Sequence, residues 1–344
     1  MDKLILFDSD DLQSLLKNRT NESKFGEHVQ LVTDFNNIYE MLITLDVDYV
    51  IFGITEDIGV FANYGQTGTA RAWDSTLKIL LNIQSNTFTH SNKALILGYL
   101  DFSKEMEKVK SYDANNKKDI HKARKKVAKI DVYVTDLICQ IVKAGKIPII
   151  VGGGHNNAYG NIKGSSLALK KPINVVNFDA HSDFRTEEGR HSGNGFSYAY
   201  AEGFLKNYFI FGLHENYTPD SVFKRLNKFK TLNYNTFEGV SIRNENSFKS
   251  ELERASDFVA KNPFGIEVDC DAIKNIPSSA MTPSGYSVKK ARAFVNHFGK
   301  FEKVKYLHIC EASPTPDTEE KVGKLITYLI TDFMRANQSK NENK

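Results

Sequence analysis

The sequence predicts an α/β fold: one doubly wound, mainly parallel sheet with helices on both faces. Three observations point there. Short apolar, β-branched runs recur along the chain, longer stretches of helical periodicity separate them, and no low-complexity linker or internal repeat interrupts the alternation. Strand and helix in alternation build βαβ units, and in such sheets ligands gather beyond the C-terminal strand ends.

The runs, in order, are DYVIFGI (48–54), KALILGYL (93–100), IPIIVGG (147–153), INVVNFD (173–179), YFIFGL (208–213), FGIEVD (264–269) and VKYLHICE (304–311). They lack strict polar alternation, as expected of strands buried on both faces. The clearest helix is KDIHKARKKVAKIDVYVTDLICQIVKAGK (118–146), where a charged first half gives way to an apolar stripe and a stop at Gly145. A second runs from about Glu319 to Arg335. The expected organisation is a single domain over 1–344, with 1–45 as an added N-terminal arm and the polar 337–344 as a frayed tail.

Composition narrows the partners. Lys and Arg number 45 against 42 Asp and Glu, and the resulting net charge of +3 gives no reason to expect nucleic acid. No run approaches the ~18 apolar residues of a membrane span, and MDKLILFDSDDLQSLLKNR has no signal-peptide core. Three scattered cysteines, Cys139, Cys270 and Cys310, fit neither a disulfide framework nor a zinc knuckle, so a cytoplasmic protein acting on a small-molecule substrate is expected.

The chemistry concentrates at three strand ends. NFDAHSDFR (177–185) sets Asp179, His181 and Asp183 at alternate positions, which in an extended segment share one side. GGGHNNAYG places His155 just past a glycine run, and EVDCDA places Asp269 and Asp271 two apart, with Cys270 between them turned to the core. Four carboxylates bring about four negative charges and two neutral imidazoles none, so two divalent cations balance the set where one leaves it overcharged. Oxygen-rich ligation without thiolate suits Mn²⁺ better than structural Zn²⁺. Two such ions sharing a water would bring its pKa toward neutrality, so hydrolysis is the expected reaction class.

At these motifs the sequence resembles the ureohydrolase family of arginases, agmatinases and formimidoylglutamases, Mn-dependent enzymes that cleave a C–N bond of a guanidine or amidine. GITEDIGVFANYGQTGTARAW (53–73) looks like the family's opening motif, GGGHNN, NFDAHSD and EVDCDA like its three metal motifs, and LHICEASP (307–314) like its late segment. The resemblance implies a three-layer α/β/α sandwich with a mainly parallel sheet of about eight strands, two Mn²⁺ per chain and a homo-oligomer. It implies that His155, Asp179, His181, Asp183, Asp269 and Asp271 hold the metals, with Asp183 and Asp269 bridging them. It also implies that Glu311 faces the cationic nitrogens of the substrate.

Departures bear on the substrate. Arginases usually have Asp-His-Ser where this chain has Gly154, His155 and Asn156, and Ser where it has Glu267. The His-Gly step of arginases and agmatinases is replaced here by RHSGNGF, with Ser192 before Gly193 and His191 displaced by one; formimidoylglutamases tend to have Ser-Gly. Arg185, two residues past the last ligand of its motif, is placed to clasp a carboxylate, with Ser192 and Asn194 beside it.

These features favour N-formimidoyl-L-glutamate, cleaved to glutamate and formamide, over arginine or agmatine. Asp183 is expected to take and return the water's proton, Glu311 to orient the amidinium, and His191 to act as a relay. A one-metal deacetylase and a catalytically silent binding protein of the same fold stand as alternatives. The loop SSAMTPSGYS (278–287) resembles the one bordering the family's pocket, and His214 and His308 are expected to be core or supporting histidines.

Overall fold

The computed structural model describes residues 2–338. Nine strands form one sheet: β1 (Leu4–Leu6), β2 (Tyr49–Thr55), β3 (Ala94–Asp101), β4 (Ile147–Val151), β5 (Ile173–Phe178), β6 (Leu205–Leu213), β7 (Leu232–Thr236), β8 (Phe264–Asp269) and β9 (Val304–Cys310). Their order across the sheet is β1-β3-β2-β4-β9-β8-β5-β6-β7, and every pairing is parallel except β1 with β3. All seven apolar runs are strands. The other two strands, β1 and β7, are the edges, short and only partly buried, so their residues lack a continuous apolar signature.

Two apolar layers flank the sheet. One face carries the helices Ala72–Leu80, Phe248–Val259, Val288–Gly299 and Glu319–Gln338 through Trp73, Phe294, Phe298 and Phe333; the other carries Lys117–Lys143 and Ala158–Leu169 through Val127, Val134, Ile138 and Ile162. The three-layer arrangement expected from the resemblance is present, with nine strands instead of about eight. The first 45 residues contribute β1, the short helix Ser9–Leu15, and Phe7, Leu12 and Phe25 to one core layer. Of the tail 337–344, Asn337 and Gln338 end the last helix and 339–344 lie outside the described residues.

The helix Lys117–Lys143 shows how sequence sets this packing. Asn116 caps it by accepting from the Lys118 amide, and Ile120, Ala123, Val127, Ile130, Val134, Leu137 and Ile141 recur every three or four residues on the buried face. Asp131 lies buried within that stripe, and its partner appears below. The four central strands β4, β9, β8 and β5 all run in one direction, so their C-terminal ends open onto a common rim. Among the described residues no helix is long and apolar enough to cross a membrane.

Candidate metal centre and active site

The rim gathers side chains from all four central strand ends. After β4, Gly152 (φ +85°) and Gly153 (φ +70°) take left-handed backbone that a side chain would strain, and this turn delivers His155 to the sheet axis. The His155 amide donates to Glu311 Oε1 at 2.6 Å, tying the turn to the end of β9. His155 is fully buried, and its Nδ1 lies 2.8 Å from Asp183 Oδ2, 3.0 Å from Asp269 Oδ2 and 3.3 Å from Asp179 Oδ2. These four residues form a compact set of ligand atoms.

A second lobe adjoins it. His181 Nδ1 lies 3.6 Å from Asp179 Oδ1 and 3.8 Å from Asp271 Oδ2. Asp183 and Asp269, the carboxylates expected to span the pair, each turn Oδ2 to His155, and Asp179 offers an oxygen to each imidazole.

The side chains also converge by a different route from the one the spacing suggested. β5 ends at Phe178, and Asp183 has φ +44°, so Asp179, His181 and Asp183 meet around a turn and not on one side of an extended strand. Asp269 closes β8, whereas Asp271 belongs to a 3₁₀ turn capped by Asp269 Oδ1, which accepts the Asp271 amide at 2.7 Å. Glu311, at φ +59°, is likewise held in left-handed backbone. Left-handed conformations at Asp183 and Glu311 are strain concentrated at a site that the surrounding structure must enforce. Cys270 faces the core as expected.

Electrostatics explain what such a cluster requires. Among the described residues no Lys or Arg pairs with Asp179, Asp183, Asp269 or Asp271; their salt-bridge partners are the two histidines. Burial and the neighbouring acid charges push the carboxyls of Asp183, Asp269 and Asp271 up. Burial and Asp271 push Glu311 up to about 8. Burial opposes a charge on His181, yet Asp179 outweighs it and His181 rises to about 10. His155 faces carboxylate oxygens on both sides, those of Asp179, Asp183 and Asp269 at Nδ1 and that of Glu267 at Nε2, without a well-aligned hydrogen bond to any of them. Four buried acids whose only salt-bridge partners are two imidazoles fit a divalent metal pair, which His155, Asp179, His181, Asp183, Asp269 and Asp271 would hold.

Above the cluster is a cavity of about 500 Å³, bordered by His181, Asp183, Asp269, Asp271 and Glu311 at its base. Ser279 and Ala280, from the predicted pocket loop, complete that base, their hydroxyl and amide donating to Asp271 at 3.2 and 2.9 Å. Arg185 and Ser192 line one wall, with Asn63 between them: Arg185 Nη1 donates to Asn63 Oδ1 at 2.8 Å, and Asn63 Nδ2 donates to Ser192 Oγ at 3.1 Å. A Cβ on Gly193 would stand 2.9 Å from Asn63 Nδ2 and 3.0 Å from Arg185 Cδ, so the bare glycine permits that approach. Tyr217, Pro219 and Val222 also line the cavity.

Two expected site residues stand elsewhere. His191 is buried outside the cavity, its Nδ1 accepting the Gly193 amide at 3.1 Å. Burial and the cations Arg124, Arg185 and Arg190 push it down to about 3, so it is neutral at ordinary pH. Asn194 is buried too, and its amide is consumed by Arg190 Nη1, the His191 amide and the Gly189 carbonyl at 2.6, 3.0 and 2.8 Å. Both shape the loop that carries Ser192; neither reaches the cavity. His214 is a supporting residue, stacked between Tyr217 and Phe237 with ring centroids at 5.3 and 4.7 Å.

Several residues of the site carry no signal in the sequence. Asn63 and Tyr217 line the cavity from loops whose closeness to it depends on tertiary structure. Glu56 is fully buried at the end of β2, and its carboxylate accepts from Ile58 and Gly59 amides and from Gly154, Asn156 and Asn157, so it moulds the turn bearing His155. Arg190 braces the same turn from beyond, donating to the Asn156 carbonyl at 2.8 Å while paired with Asp131 at 2.8 and 3.2 Å.

A sequence profile of the arginase family matches residues 47–335. The chain belongs to the arginase family. A formimidoylglutamase of Streptococcus pyogenes is 23% identical over 291 residues, 82% of each chain. Among solved structures, formimidoylglutamase from Bacillus subtilis superposes with a TM-score of 0.71 at 17% identity, covering 92% of this chain and 94% of that one. Trypanosoma cruzi formiminoglutamase with Mn²⁺₂ gives 0.68 at 19% identity, covering 87% of this chain and 97% of that one. These relatives and neighbours are hydrolases of the arginase family, and the chain shares their fold.

Proposed function

We propose that this arginase-family member is a Mn²⁺-dependent hydrolase of an amidine, with N-formimidoyl-L-glutamate as its substrate and glutamate and formamide as products. One observation carries the reading: the cavity joins a carboxylate-rich base that includes Glu311 to a wall bearing the Arg185 guanidinium, 51% of whose side chain is exposed. The substrate has the complementary polarity, a small amidinium at one end and two carboxylates at the other. Arginine and agmatine offer one carboxylate or none, and gain less from Arg185. The curated relative named formimidoylglutamase supports the choice.

In this mechanism His155, Asp179, Asp183, Asp269, His181 and Asp271 would hold two Mn²⁺, which when bound acidify water and polarise the carbon under attack. Glu311 accepts hydrogen bonds from the amidinium and fixes its plane over the base. Asp183, whose carboxyl is raised by burial and by Asp179, takes the proton released as the C–O bond forms and returns it to the departing amine nitrogen as the C–N bond breaks. Arg185, braced by Asn63, clasps a substrate carboxylate, and Tyr217, Pro219 and Val222 cover the methylenes. His191, neutral and outside the cavity, takes no part.

The test is a glutamate-release assay on N-formimidoyl-L-glutamate beside urea-release assays on arginine and agmatine, after chelation and Mn²⁺ reconstitution. Glutamate release alone is expected. Turnover of arginine or agmatine without glutamate release overturns the substrate assignment. We further propose a cytoplasmic homo-oligomer: the exposed Tyr64, Val132 and Ile242 leave apolar surface for a subunit contact, and sedimentation of the purified chain tests the assembly.

A further inference from the structure

Glu267 and His308 lie beneath the cluster, fully buried, and have no part in the chemistry above. They face each other across neighbouring strands β8 and β9. His308 Nδ1 is 2.5 Å from Glu267 Oε2, and its Nε2 is 3.2 Å from the Gly152 carbonyl. A carbonyl only accepts, so Nε2 carries a proton, and a second proton is shared between Nδ1 and the carboxylate. His308 thus holds Glu267 in place and ties it to the start of the glycine turn that delivers His155.

The same Glu267 oxygen lies 3.6 Å from His155 Nε2, while His155 Nδ1 points the other way into the carboxylates. An imidazole that offers its Nδ1 lone pair to a cation keeps its proton on Nε2, and that proton needs an acceptor in a fully buried setting. Glu267 Oε2 is the carboxylate oxygen that faces it, at a distance just beyond a hydrogen bond. Its other oxygen is 3.5 Å from Asn161 Nδ2, so the side chain is held from two sides.

We propose that Glu267, oriented by His308, is a positioning residue that fixes His155 in the Nε2-protonated tautomer and so sets the affinity of the His155 lobe for its ion. This rests on the metal-centre reading above. An outer carboxylate of this kind orients the ring and raises its basicity, and losing it typically costs about 10- to 100-fold in metal affinity.

The experiment is Mn²⁺ titration of chelator-stripped protein, with free Mn²⁺ followed by electron paramagnetic resonance, for wild type, Glu267→Gln and His308→Asn. Wild type is expected to bind two ions. Glu267→Gln should weaken one of them by about 10- to 100-fold and leave the other within about threefold, with a smaller change at the same ion in His308→Asn. Circular dichroism of the stripped proteins reports folding, and if Glu267→Gln does not fold, His308→Asn decides.

Imidazole ¹H–¹⁵N correlation spectra of stripped and Zn²⁺-loaded wild type supply a readout independent of the variants. They should show His155 protonated on Nε2 when loaded. Two Mn²⁺ constants unchanged in the variants, or His155 protonated on Nδ1 in the loaded protein, overturns the proposal while leaving the metal centre standing. Failure of wild type to bind Mn²⁺ overturns both.

Discussion

Replacing Arg190 by methionine separates two roles that the structure assigns to one guanidinium. Arg190 forms a bidentate pair with the fully buried Asp131, is flanked by the rings of Tyr159 and Tyr198 at 4.7 and 5.1 Å, and reaches the Asn156 carbonyl and Asn194 Oδ1. Removing it leaves Asp131 buried without a partner, and breaking one side of such a pair costs about 3–5 kcal/mol. An unfolding entropy of about 2.1 cal/mol/K per residue over 344 residues gives about 0.7 kcal/mol per kelvin, so Tm should fall by about 4–7 °C.

The double variant Asp131→Leu with Arg190→Met gives the contrast. Burial holds the Asp131 carboxyl above its ordinary value despite Arg190, so desolvation outweighs the attraction between them. Removing both charges should therefore restore most of the lost Tm. Activity should not return with it, because the Asn156 carbonyl beside His155 and the Asn194 amide beside Ser192 remain unbraced. Calorimetry and kcat/KM on N-formimidoyl-L-glutamate, measured on wild type, both single variants and the double, check this. A double variant as unstable as Arg190→Met, or one that regains both Tm and kcat/KM, refutes the reasoning.

Further outcomes follow from the cavity and its charges. Arg185→Ala should raise KM for N-formimidoyl-L-glutamate by about 10-fold, the lower end for a charge-assisted bond because Arg185 is half exposed, while KM for a formamidine without carboxylates stays level in the same steady-state assay. Asp269→Asn removes one of the mutually repelling buried acids, so by differential scanning fluorimetry the metal-free variant should melt above metal-free wild type, yet Mn²⁺ should no longer raise its Tm. Metal-free wild type should also lose stability from about pH 6.5 toward 10. His181, raised to about 10, contributes fully below the unfolded histidine pKa and loses that contribution as pH climbs; the raised Asp183, Asp269 and Asp271 act in the same direction. Glu267, held down to about 2 by His308 and His155, acts oppositely and only in acid. A Tm flat or rising over pH 6.5–10 in chelator counts against this account of the cluster.

The interior of the fold was legible because seven central strands are buried on both faces and advertise it in Val, Ile and Phe. β1 and β7 were not, because an edge strand of three or five partly buried residues carries no pattern distinguishable from a loop. The ligand types were legible for a related reason: acids and imidazoles placed immediately after apolar runs have no solvated alternative. What the sequence did not hold was the path of the chain after each strand. Alternation treats Asp179, His181 and Asp183 as equivalent members of one side, whereas left-handed backbone at Asp183 gives them different oxygens to present and leaves Asp179 with an oxygen toward each imidazole.

His191 and Asn194 show where reading by adjacency fails. In RHSGNGF they are polar, close to the ligands and indistinguishable from functional groups, but a buried polar group is defined by its partner, and sequence does not print partners. Theirs lead to Arg190, and Arg190 leads to Asp131, 59 residues upstream on a different element. The one trace of that link is a carboxylate at position 131 inside the apolar stripe of Lys117–Lys143, between Ile130 and Val134. An acid in that setting requires a buried cation. Among the basic residues near the metal motifs, Arg190 is buried whereas Arg185 is half exposed, 3.7 Å from Glu188 and bordering the cavity, so the charge in the helix stripe distinguishes the arginine that braces the site from the one at the cavity wall.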